Sequence, residues 1–85
     1  MALKSEYDLQ ADAAYVYLRS RRNVAYASTE RLDGSRFMDL GADGEPIGID
    51  FMDVSRGVDL TGIPRMEEVA EALRRHGLRV LLPAG

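Results

Sequence analysis

The sequence predicts an α+β fold: a small antiparallel sheet of about four strands with one C-terminal amphipathic helix packed on one face. Three observations carry this expectation. Segments of alternating polarity fill the chain up to Val54, Asp-Gly pairs punctuate them, and beyond Pro64 the apolar spacing changes to that of a helix. Strands gathered first and a helix placed last segregate into sheet and cover, which is the α+β arrangement.

Taken in order, residues 4–7 form a candidate first strand, and Asp8 and Asp12 in "DLQAD" supply turn chemistry. Residues 13–18 follow as a second strand, with Ala14, Val16 and Leu18 on one face and Ala13, Tyr15 and Tyr17 on the other. "RSRRN" reads as a charged turn and residues 24–32 as a third strand. Asp33-Gly34 is a turn signal because both residue types tolerate the positive φ of tight turns. Residues 37–40 and 47–54 flank "GADGEP" as a hairpin with a longer loop. In the last strand Ile47, Ile49 and Phe51 share one face, while Gly48, Asp50 and Met52 share the other.

The helix is predicted over residues 64–77. Met66, Val69, Ala70 and Leu73 form one apolar stripe, and Pro64 suits the first helical position. Glu67 and Glu68 complement the positive end of the helix dipole; Arg74, Arg75 and His76 complement the negative end. Gly77 is placed as a left-handed cap, with Leu78 folding back on Leu73. "LRVLLP" reads as a short final strand or an apolar tail on the core.

Composition bounds the rest. A chain of 85 residues makes a single domain, 1–85, whose core is small for its surface. It contains no cysteine, so neither a disulfide nor a thiolate metal site can staple it. Fourteen acids against 11 bases give a net charge of −3, which argues against a nucleic-acid binder that must neutralise phosphates. No apolar run approaches the roughly 18–20 residues that span a bilayer, and the first residues lack the apolar stretch of a signal peptide. A cytoplasmic location without membrane contact is expected.

"YDLQADAAYVYL", "VAYASTERLDG" and "FMDLGADGEPIGIDFMDVSRG" together resemble a small bacterial family known as domain of unknown function 2283. The resemblance rests on Tyr7, Asp8, Ala11, Asp12, Ala13, Tyr15 and Leu18 in the first block and on Asp43, Gly44, Ile47, Gly48, Ile49, Asp53 and Ser55 in the second. Gln10 and Asp50 stand where the family usually has Glu, Ala14 where it often has Leu, and Gly41 where it often has Asp. The similarity covers residues 7–57, the β core, and leaves the helical tail as an extension. It implies a fold and supplies no catalytic residues.

The candidate chemistry is sparse. "DLGADGE" lacks the middle ligand and the distal Glu of a calcium loop, so Asp43-Gly44 is read as turn chemistry. His76, the only histidine, falls in the last turn of the helix beside arginines, as a dipole-complementing residue. Neither Gly-x-Ser-x-Gly nor a phosphate loop occurs. No enzyme, cofactor or metal is therefore expected. Arg19, Arg21 and Arg22, and separately Arg74 and Arg75, are read as solvated charge.

The two faces of the second strand raise the remaining question, since one helix covers only one of them. Tyr15, Tyr17, Phe37 and Met52 are the candidate interface on the other, tyrosine being suited to surfaces that bury apolar area around a paired hydroxyl. The expected function is a non-enzymatic interaction module that forms a homodimer or docks to a small protein partner. An antitoxin-like role enters by analogy with other very small bacterial proteins. The alternative is a small-ligand or metal-binding module built on Asp8, Asp12 and the tyrosines.

Overall fold

A computed structural model describes residues 2–20 and 25–82. Within them lie strands β1 (Ser5–Asp8), β2 (Ala13–Tyr17), β3 (Tyr26–Asp33), β4 (Arg36–Gly41) and β5 (Pro46–Met52). A 3-10 turn (Val54–Arg56), β6 (Val58–Asp59), helix α1 (Met66–Arg74) and β7 (Val80–Leu81) follow.

The first five strands make one sheet in the order β1-β2-β5-β4-β3, every neighbouring pair antiparallel. The fold class is α+β as the sequence predicts, with five strands in the sheet instead of about four. All five correspond to segments that the sequence marks as candidate strands; β1, expected over residues 4–7, is Ser5–Asp8, and its four residues all pair with β2 although only Tyr7 among them is apolar in the alternating sense. An edge strand of this kind is recruited by its neighbour's backbone and needs no apolar signal of its own.

Register fixes the two faces. Ala14 pairs with Phe51 and Val16 with Ile49, and Met38 pairs with Ile49 from the other side. Period-two alternation then puts Ala14, Val16, Leu18, Ile47, Ile49 and Phe51 together, and all six are buried. β5 stops at Met52 because Asp53 turns into the left-handed region (φ 54°), so Val54 sits in the 3-10 turn and not in the strand the sequence extends to it.

The cover is more than a helix. β6 and β7 pair in parallel through Val58↔Val80 and Asp59↔Leu81, with α1 as their connection. Val69, Ala70, Ala72 and Leu73 of α1 are buried with Val58, Leu60, Ile63 and Leu78 against the sheet. Of sixteen buried hydrophobic residues among those described, eight come from beyond Val54.

The helix start differs from the sequence reading. Arg65 adopts φ 53°, so helical geometry begins at Met66 and Pro64 lies in the preceding turn. The reversed residue carries its guanidinium onto the Leu18 carbonyl (2.8 Å) and the Glu68 carboxylate (2.9 and 2.6 Å). The far end closes as predicted: Gly77 has φ 78°, its N–H donates to the Arg74 carbonyl (2.9 Å), and Leu78 N–H donates to the Leu73 carbonyl (3.3 Å). This is a Schellman closure, with Leu78 buried in the same core as Leu73.

Candidate functional site

The face of the sheet opposite α1 carries Glu6 on β1, Ala13, Tyr15 and Tyr17 on β2, Gly48, Asp50 and Met52 on β5, Phe37 and Asp39 on β4, and Thr29 and Arg31 on β3. Tyr15 and Tyr17 are half-buried and meet edge to face, ring centroids 4.8 Å apart. The Tyr17 hydroxyl donates to the Glu6 carboxylate, and Lys4 Nζ lies 5.2 Å from the Tyr17 ring centroid. The Tyr15 hydroxyl donates to Asp39 Oδ2 (2.7 Å), whose other oxygen accepts from Thr29 Oγ1 (2.7 Å); the Tyr26 hydroxyl is 2.8 Å from the same Thr29 oxygen. A line of hydroxyls and carboxylates thus crosses the face on which the sequence places the candidate interface.

Gly48 makes this possible. A Cβ there would stand 2.5 Å from ring carbons Cε1 and Cζ of Tyr15, so the ring lies on bare backbone. Glycine inside a strand commonly marks such an approach, and that signal was available in the sequence.

The four candidate interface residues share the face without forming one patch. Tyr17 pairs with Gly48 at one end of the β2–β5 ladder and Ala13 with Met52 at the other, about 13 Å away at the rise of a strand. Phe37 is half-buried beside Asp50, and Met52 is 36% exposed. Asp50 was not among the sequence's interface candidates. It occupies the central strand between Tyr15 and Phe37 and has neither a hydrogen-bond nor an ion-pair partner among the described residues. Burial, with the nearby Asp39 charge, raises its pKa above the ordinary carboxylate value.

Asp8 and Asp12 are engaged locally. Asp8 Oδ1 accepts from Ala11 N–H (3.1 Å). Asp12, at φ 53°, accepts from Ser55 N–H (2.9 Å) and Ser55 Oγ (2.7 Å), and its carbonyl accepts from Val54 N–H (3.1 Å). It clamps the β1–β2 turn to the 3-10 turn. Among the described residues no group of three or more His, Cys, Asp or Glu side chains is arranged to hold a metal ion.

The remaining singled-out residues also serve as joints. His76 Nε2 lies 2.8 Å from Ser5 Oγ and its ring 5.8 Å from that of Tyr7, linking the end of the helix to β1. Arg75 donates to the Leu3 carbonyl (2.6 Å) and Arg19 pairs with Asp43 (3.0 Å). Asp43-Gly44 forms the expected turn, with Gly44 at φ 81° and Asp43 Oδ1 accepting from Glu45 N–H (3.1 Å). Asp33 works differently from the expectation: Gly34 is not left-handed, and Asp33 shapes the turn by accepting from Ser35 N–H (2.9 Å). Arg21, Arg22 and Val24 lie outside the described residues.

The two sequence blocks that carry the family resemblance are joined in space by Asp12 with Ser55 and by Tyr15 with Gly48. No curated protein and no solved structure matches the chain. The model of the family described as "Protein of unknown function (DUF2283)" matches residues 4–55, which span β1 to β5 and most of the 3-10 turn; the chain belongs to that family.

Proposed function

We propose that the protein is a non-enzymatic interaction module whose open sheet face receives a second polypeptide, either another copy or a small partner protein, within the bacterial cytoplasm. An antitoxin-like pairing is one form this takes. The observation that carries the reading is the placement of Tyr15, Tyr17, Phe37 and Met52 on the face away from the core, while β6 and α1 contribute buried residues, and β7 the partly buried Val80, to the other side. Tyrosines held by carboxylates are pre-ordered, so covering them loses little side-chain entropy. The only histidine and its nearest hydroxyl, His76 and Ser5, join β1 to the helix, which favours a structural role for both.

A ligand module built on Asp8 and Asp12 is the weaker reading, since Asp12 spends both oxygens on Ser55. Sedimentation at micromolar concentration, with and without proteins co-purified from the native host, tests the proposal. Association that is lost in Phe37→Arg while the fold is retained supports it. A monomer with no stoichiometric partner, or association indifferent to Phe37→Arg, overturns it.

A further inference from the structure

The geometry points to the Asp50 end of the open face as the seat of a single cationic side chain, arginine or lysine, carried on an apolar segment of a partner protein. This rests on the reading of that face as a docking surface and names its occupant. An open depression of about 610 Å³ lies there, lined by Glu6, Asp8 and Asp50 together with Leu9, Ala13 and Tyr15, and no basic residue among those described lines it. Leu9, at the tip of the β1–β2 turn, is 75% exposed on its rim, and Met52 pairs with Ala13 beside it.

Asp50 decides the chemistry. Its carboxylate is already partly withdrawn from water and finds no partner in its own described chain. Any protein that covers this face completes that withdrawal, and a covered carboxylate without a donor is costly. A cation satisfies it with a charge-assisted hydrogen bond and is drawn in by Glu6 and Asp8 as well. A second copy laid face to face brings the same three acids against these. The described bases of the face, Lys4 and Arg31, lie at its two edges and not beside the central strand. Charge therefore favours a different chain over self-pairing here.

The test uses the full chain and a short acetylated, amidated peptide, Gly-Val-Leu-Arg-Leu-Val-Gly, against its citrulline counterpart, which keeps the shape and removes the charge. Amide NMR signals of Ala13, Asp50 and Met52 are expected to shift on titration with the arginine peptide. Affinity should fall about tenfold or more with citrulline or in Asp50→Asn, a variant whose unchanged or raised Tm shows that it folds. Equal binding of the two peptides, binding unaffected by Asp50→Asn, or signals that stay still overturn the cationic seat. If they stay still while association sensitive to Phe37→Arg is present, only this inference fails. If that association is missing too, the docking face itself is refuted.

Discussion

At the scale of single residues, Gly48 and Asp12 show how side chains chosen for geometry can resemble a functional set. Gly48→Ala drives the Tyr15 ring off the sheet and breaks its hydrogen bond to Asp39. A loss of about 1–2 kcal/mol is expected in urea unfolding. It should be mostly absent when Gly48→Ala is made in a Tyr15→Ala background, since the two residues act as one contact. Asp12→Ala removes both bonds to Ser55 and leaves a non-glycine residue at φ 53°, for a cost of about 2–3 kcal/mol. Asp12→Asn, which keeps an acceptor and tolerates the left-handed region, should cost under about half of that. Both measurements need only thermal melts without added ligand. The type of these residues was legible in the sequence, but their partners were not. Nothing local in "DLQAD" says that its last carboxylate closes on a serine 43 positions later.

The element best written into the sequence is the C-terminal end of α1, where Gly77 and Leu78 perform as their types demand. Apart from Gly77 itself and its chain neighbours, no atom of the described residues lies within 4 Å of a Cβ placed on Gly77. Gly77→Ala therefore pays only for the left-handed backbone, about 1 kcal/mol, read as a Tm lower by roughly 4–8 °C. The start of the same helix was misplaced because Pro64 is an equally good residue for the turn before a helix, and the reversal at Arg65 depends on a carbonyl of β2's neighbour, Leu18. β3 was placed by its turns more than by its content. It is almost wholly exposed, its edge interrupted by irregular register and studded with Glu30 and Arg31, devices that discourage further strand pairing.

Across the whole molecule, stability without cysteine comes from a core shared between sheet and cover, and from arginines that bind backbone carbonyls. Arg36 reaches the carbonyls of Asp59 (3.2 Å) and Thr61 (2.6 Å), Arg65 that of Leu18, Arg75 that of Leu3, and Arg79 that of Arg56 (3.0 Å). Composition could not reveal this: Arg75 reads as solvated charge, and Arg36, Arg65 and Arg79 carry no local signal, until the carbonyls they meet are known.

The acid response also belongs to this scale. Asp33, Asp43 and Asp59 are held below the usual carboxylate pKa, first by N–H donors of Ser35, Glu45 and Thr61 and then by hydrogen bonds or charges from neighbouring side chains. Their contribution is present above the unfolded carboxylate range near about pH 4 and is lost as pH falls through the lower folded values. Asp50 has the opposite sign, its penalty growing as pH rises through its raised value. The urea midpoint should thus fall on acidification below about pH 4, and Asp50→Asn should raise Tm at neutral pH by no more than about 4 °C.

Because β6, α1 and β7 follow the five-stranded sheet along the chain, the sheet's residues leave the ribosome ahead of those that cover them. Until Leu73 and Leu78 have emerged as well, the side chains of Val16, Ile49 and Phe51 have nothing to pack under, and for that interval strand-forming apolar surface is open to chaperones or neighbouring polypeptides.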